Sequence, residues 1–89
     1  MADRYDVVIT VVDQKGHCAW GHRNGDRWVC SGTTPGGVCL SAFGTLLPDI
    51  RTLQFGGTFP WAKDAEAVEV TCSDGANPVT FELRRVKKQ

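Results

Sequence analysis

Apolar and polar positions alternate with two different periods along this chain, and the change of period marks its elements. Residues 5–13 are rich in β-branched side chains and read as a strand. Val7, Ile9 and Val11 share one face, and Val8 and Val12 lie on the other, so this strand is expected to be covered on both sides. Residues 66–72 alternate strictly, with Val68, Val70 and Cys72 on one face and Glu69 and Thr71 on the other. Residues 79–86 repeat the pattern, with Val79, Phe81 and Leu83 inward and Glu82 and Arg84 outward. The turn residues 73–78 between these two segments imply an antiparallel hairpin. Arg27–Cys30 follows an Asn24-Gly25-Asp26 turn and reads as a short strand.

The period lengthens between residues 38 and 47. The pairs 38/39, 42/43 and 46/47 recur every four residues, which is one face of a helix. Thr34 can cap it, and Pro35 suits a first helical position. Pro48 should interrupt it, leaving a second short helix from Pro48 to Phe55 with Ile50 and Leu53 inward, stopped by Gly56-Gly57. The expected fold is therefore α+β: a small antiparallel sheet in β-β-α-β-β order with one broken helix packed on it. Residues 1–89 form a single domain.

Charge narrows the partners. Ten Lys+Arg balance ten Asp+Glu, so the chain has no electrostatic footprint for nucleic acid or anionic lipid. The four basic residues from Arg84 onward read as a solvated end. The longest apolar runs are too short to cross a bilayer. No charged stretch followed by an apolar one marks a secretory signal, which points to the cytoplasm. There the four cysteines, Cys18, Cys30, Cys39 and Cys72, are expected to stay reduced. No Cys-x-x-Cys occurs, so a zinc ribbon and a thioredoxin motif both lose their main support.

The run Gly16-His17-Cys18-Ala19-Trp20-Gly21-His22-Arg23-Asn24-Gly25-Asp26 resembles the opening of a family of small bacterial and archaeal proteins of unassigned activity. That opening runs Gly-x-Cys, Gly-His and Gly-Asp, each separated by two residues. Further resemblance lies in Thr34–Cys39, Phe55–Trp61, Cys72–Asp74 and Asn77–Leu83. It implies that Cys18, His22, Cys39 and Cys72 are the motif positions and that Cys30 is incidental. The chain departs from the pattern at Leu40 and Ser73, where the family often has proline after the cysteine.

Those four residues offer two chemistries. Three thiolates and an imidazole make a Cys3His set suited to zinc, and less commonly to an iron–sulfur cluster. Without metal, Cys39 or Cys18 with His22 is a thiolate–imidazole pair, and Asp26 could orient the ring. The competing readings are plain: cysteine packs as a small hydrophobe, and Asp26 serves its turn. Trp20, Phe59 and Trp61 sit on loops and could wall a pocket beside the cysteines, with Arg23 or Arg51 offered to an anionic ligand. They could equally close the ends of a thin core.

The leading expectation is a small cytoplasmic protein whose Cys/His-lined site binds a metal ion or small ligand. The alternatives are a small enzyme using a Cys–His pair in an aromatic pocket, and an accessory module docking on a protein partner or on a second copy of the chain. Both chemical readings require that the Cys18–His22 loop, the helix start at Cys39 and the strand end at Cys72 lie close together.

Overall fold

A computed structural model describes residues 5–14, 23–72 and 78–87. Its elements are β1 (Tyr5–Gln14), β2 (Arg27–Cys30), α1 (Leu40–Gln54), β3 (Ala67–Thr71) and β4 (Val79–Lys87), in the β-β-α-β-β order that the alternation predicts. The four strands form one antiparallel sheet in the order β2-β1-β4-β3. The first and last strands are therefore its centre, and Tyr5 pairs with Lys87.

The inner face of the sheet is built from Val7, Ile9 and Val11 of β1 and Val79, Phe81 and Leu83 of β4, each at most 1% exposed. Val68 of β3 and Cys30 of β2 extend it to either side. Helix α1 closes this layer with Ala42, Leu46, Ile50 and Leu53, spaced by four, four and three residues. Leu46 is fully buried, so truncating it to alanine would remove about 2–5 kcal/mol of stability. Among the described residues the other face of the sheet carries no helix. Val8 there is half-buried, while Val12 and Val29 are exposed. The expectation of a two-sided β1 is corrected accordingly: its second valine row is the outside of a two-layer fold.

A β-bulge explains how β1 ends. The register shifts between Val11 and Asp13, leaving Val12 without a cross-strand partner. Strict alternation from Val7 would turn Asp13 into the core. The extra residue moves Asp13 opposite Thr80 on the outer side and gives the inner place to Gln14, opposite Val79.

Helix α1 departs from the sequence expectation at both its start and its middle. It begins at Leu40 with Cys39 at the cap position, not at Thr34-Pro35, and the Cys39 carbonyl accepts the Phe43 N–H at 2.9 Å. It also continues through Pro48 instead of breaking. Pro48 has no N–H to give the Gly44 carbonyl, but Gly44 is exposed, so water can take that acceptor. The buried row on either side of Pro48 holds the helix together. The predicted stop is met in full. Gly57 N–H donates to the Thr52 carbonyl (2.8 Å) and Gly56 N–H to the Leu53 carbonyl (3.1 Å), with Gly56 at φ +85°. These paired bonds form a Schellman motif, whose left-handed residue is Gly56.

Side-chain bonds anchor the helix to the sheet. Its C-terminal end is tied where β1 begins and β2 ends: Gln54 Nε2 donates to the Ser31 carbonyl at 2.6 Å. Arg85 of β4 donates to the Gly57 carbonyl at 2.9 Å. Ahead of the helix N-terminus the chain lies against β2, where a Cβ on Gly37 would come within 3.3 Å of the Trp28 indole nitrogen. Among the described residues, no helix is long and apolar enough to cross a membrane.

Candidate functional site

The residues singled out by sequence fall in three places. The first is the Gln14 end of the sheet. Cys72 directly follows β3, and its N–H donates to the Val79 carbonyl at 2.9 Å. In return, the Val79 N–H donates to Cys72 Sγ at 3.2 Å. Val79 in turn lies opposite Gln14, the last described residue before position 23. The chain re-enters this end at Arg23. Gly25 N–H donates to the Val11 carbonyl (2.8 Å), and Val11 N–H donates to the Asp26 carbonyl (2.9 Å). Cys72 thus sits among the described residues that flank the segment holding Cys18 and His22. Cys18, His22 and Trp20 themselves lie outside the described residues, and so does the expected meeting of Cys18 and His22 with Cys39 and Cys72.

Cys39 and Cys72 are both half-buried and pack against the margin of the core. Cys30, Cys39 and Cys72 carry no disulfide. Among the described residues no three His, Cys, Asp or Glu side chains are grouped so as to hold a metal ion. Any Cys3His set therefore depends on Cys18 and His22. Cys30 is not a loose extra. It is a core residue, 5% exposed, opposite Val7, and its thiol points at the Thr33 carbonyl (3.8 Å). Burial raises its pKa above the ordinary thiol value. The Asp6 carboxylate adds to the shift and Arg51 opposes it.

The second place is the turn leading into β2. One Asp26 carboxylate oxygen accepts the Arg23 backbone N–H at 3.0 Å, and Asp26 N–H returns a bond to the Arg23 carbonyl at 3.0 Å. This is the turn role for Asp26: the two reciprocal bonds close the Arg23–Asp26 loop. Arg51, the other candidate for an anion, bonds Gln54 Oε1 (3.1 Å) and lies over the Phe55 ring, 4.8 Å from its centroid.

The third place is the aromatic loop between α1 and β3. Phe59 packs against the core, and Trp61 leans on it with ring centroids 5.1 Å apart and planes inclined by 45°. Trp61 is nevertheless 70% exposed. It stands over a cleft of about 320 Å³ that also takes in Lys63, Asp64, Glu69, Glu82 and Arg84. Among the described residues no cysteine lines that cleft, nor does Arg23 or Arg51. Phe59 and Trp61 are thus brought together, and the cleft beside Trp61 is lined by neither of the arginines considered for an anion.

The loop is fixed at both ends. Arg85, whose side chain is 8% exposed, bonds the Gly57 carbonyl and the Glu66 carboxylate (2.7 Å), and its guanidinium lies 5.0 Å from the Tyr5 ring centroid. Asp64 accepts the Glu66 N–H (2.8 Å) and pairs with Arg84 (2.9 Å), which also reaches Glu82 at 3.3 Å. The Glu66 N–H foremost, then Arg84, hold the Asp64 carboxyl below the ordinary range. Alternation already places Glu69, Glu82 and Arg84 on the outer face. What sequence reading misses is the register that sets Glu69 opposite Glu82 beside the Trp61 loop. Comparison of the chain with family models, with curated proteins and with solved structures gives no match.

Proposed function

We propose that this protein binds a metal ion, zinc by the character of its donors, at the Gln14 end of the sheet, with Cys72 as one ligand and Cys18, His22 and Cys39 as the others. The observation that supports the reading most is the setting of Cys72. Its sulfur accepts a backbone N–H at 3.2 Å, a bond of the kind that orients a metal-bound thiolate. Its neighbours, Val79 and Gln14, border the segment that contains the remaining thiol and imidazole. Cys39, at the cap of α1, packs against the same core as Cys72. For a small chain with a single-sided sheet, a metal held by three separate segments would add folding stability.

The test is elemental analysis of protein purified without oxygen, followed by zinc titration of the wild type, Cys72→Ser and Cys30→Ser. Stoichiometric zinc in the wild type and in Cys30→Ser, with loss in Cys72→Ser, is the expected result. Absence of metal together with no zinc uptake, or uptake indifferent to Cys72→Ser, rejects the reading.

A second reading, an accessory module that docks on a partner, rests on exposed apolar side chains. Leu40 is 86% exposed and Val29 61%, and Leu47 and Phe55 continue the Leu40 side of α1 at helical spacing. It expects a mass above that of the monomer by light scattering at high concentration, reduced by Leu40→Ser with Leu47→Ser. A monomer at every concentration counts against the self-associating form.

A further inference from the structure

The cleft under Trp61 belongs to neither of those readings and has its own chemistry. We propose that it binds an organic cation: the alkylammonium or guanidinium group of a small amine or of a basic side chain on a partner peptide.

Three features support this. The first is the indole itself. Trp61 is 70% exposed, yet the segment that bears it is pinned by Arg85 at Gly57 and Glu66, by the Ala62 N–H on the Phe59 carbonyl (3.1 Å) and by Asp64 with Arg84. Its exposure is built in, and an exposed, oriented indole face is the best aromatic surface for a cation. The second is an unbalanced pair of carboxylates. Glu69 and Glu82 stand directly opposite each other on the outer face and both line the cleft. Like charges in that relation destabilise a sheet. Arg84 answers Glu82 and Asp64, but no ion pair forms at Glu69 among the described residues. The third is the remaining charge. The cleft faces Asp64, Glu69 and Glu82 against Lys63 and Arg84. Arg84 is held by two carboxylates, and Lys63, exposed on the loop, makes no ion pair among the described residues. One carboxylate is thus left beside an aromatic wall, in a cleft of about 320 Å³ that admits an alkyl chain.

The test follows the Trp61 indole and the Glu69 and Glu82 amides by proton–nitrogen NMR. The protein is titrated with n-butylammonium chloride, with N-propylguanidinium chloride and with a trilysine peptide, against sodium chloride at matched ionic strength. Saturable shifts confined to these signals are expected. Glu69→Gln should weaken binding about fivefold, the factor expected from one charge contact at an exposed site. Trp61→Ala should abolish it. Lys63→Ala should strengthen it by removing a competing cation. Glu69→Gln should also melt at a higher temperature than the wild type, because it relieves the cross-strand repulsion, so lost binding in that variant is not lost folding. Saturation by the amine alone identifies a small-molecule site. Binding of trilysine much tighter than of butylammonium identifies a peptide side chain as the source. Equal shifts with sodium chloride, saturation by sodium acetate instead, or binding unchanged in Glu69→Gln would overturn the proposal.

Discussion

Cys30 shows how position decides what a thiol does. Its sequence neighbours give it no motif, and its role becomes visible only when β2 pairs with β1 and sets it opposite Val7 in the core. There burial, reinforced by Asp6, keeps the thiol protonated above its ordinary range. The sign of the consequence follows. Below the thiol pKa of the unfolded chain, about 8.5, both states are protonated and the residue contributes no pH dependence. As pH rises beyond that, the unfolded chain releases its proton first, and stability falls until the folded thiol ionises. Chemical denaturation between neutral and alkaline pH should therefore show an alkaline loss that is shallower in Cys30→Ala. That variant should also be about 1 kcal/mol less stable at neutral pH, through the lost volume. Asp26 was more legible. An Asn-Gly-Asp turn calls for a carboxylate on a backbone N–H, and Arg23 supplies that N–H.

At the scale of elements, the strands were readable and the helix was readable in part. Val68 and Val70, then Val79, Phe81 and Leu83, announce their faces by strict alternation, and the hairpin they form is the one expected. Pro48 misleads because a proline rule is local, while the row Ala42, Leu46, Ile50 and Leu53 is buried by contacts with the whole sheet. Those contacts outweigh one missing hydrogen bond and one steric conflict. Pro48→Ala should accordingly stabilise the protein by about 1–3 kcal/mol, measured as a shift in the urea midpoint at unchanged slope. The helix stop behaves oppositely. A Cβ on Gly57 would lie 2.6 Å from Thr52 Cγ2 and 3.0 Å from the Thr52 carbonyl oxygen. Gly57→Ala should therefore destabilise by about 1–3 kcal/mol, and the same midpoint measurement checks it. The outer face of β1 was misread for a related reason. Val8 and Val12 have the composition of a buried row, but among the described residues the one helix lies on the opposite face.

At the scale of the molecule, what the sequence could not reveal is register between distant segments. Nothing local says that β1 and β4, at the two ends of the chain, pair along their lengths from Tyr5–Lys87 to Gln14–Val79. The same gap hid the cleft, since Glu69 and Glu82 become neighbours of Trp61 only through pairing and the Arg85 clamp. Because β4 joins β1 to β3, a chain ending at Cys72 loses the strand that connects the two halves of the sheet. Such a truncated chain should give no cooperative thermal transition by circular dichroism. Recovery of a sharp transition on adding a peptide of residues 78–89 would show that the missing pairing, not the shortened length, is the cause.

The pairing of Tyr5 with Lys87 also makes this fold a natural insert. Two attachment points on adjacent antiparallel strands lie about 5 Å apart, close to the spacing between the arms of a host's own hairpin turn. Grafted there, the domain would hang from its host by one end of the sheet. Cys72, bonded to Val79 opposite Gln14, would lie at the other end, like the tip of a probe on a handle.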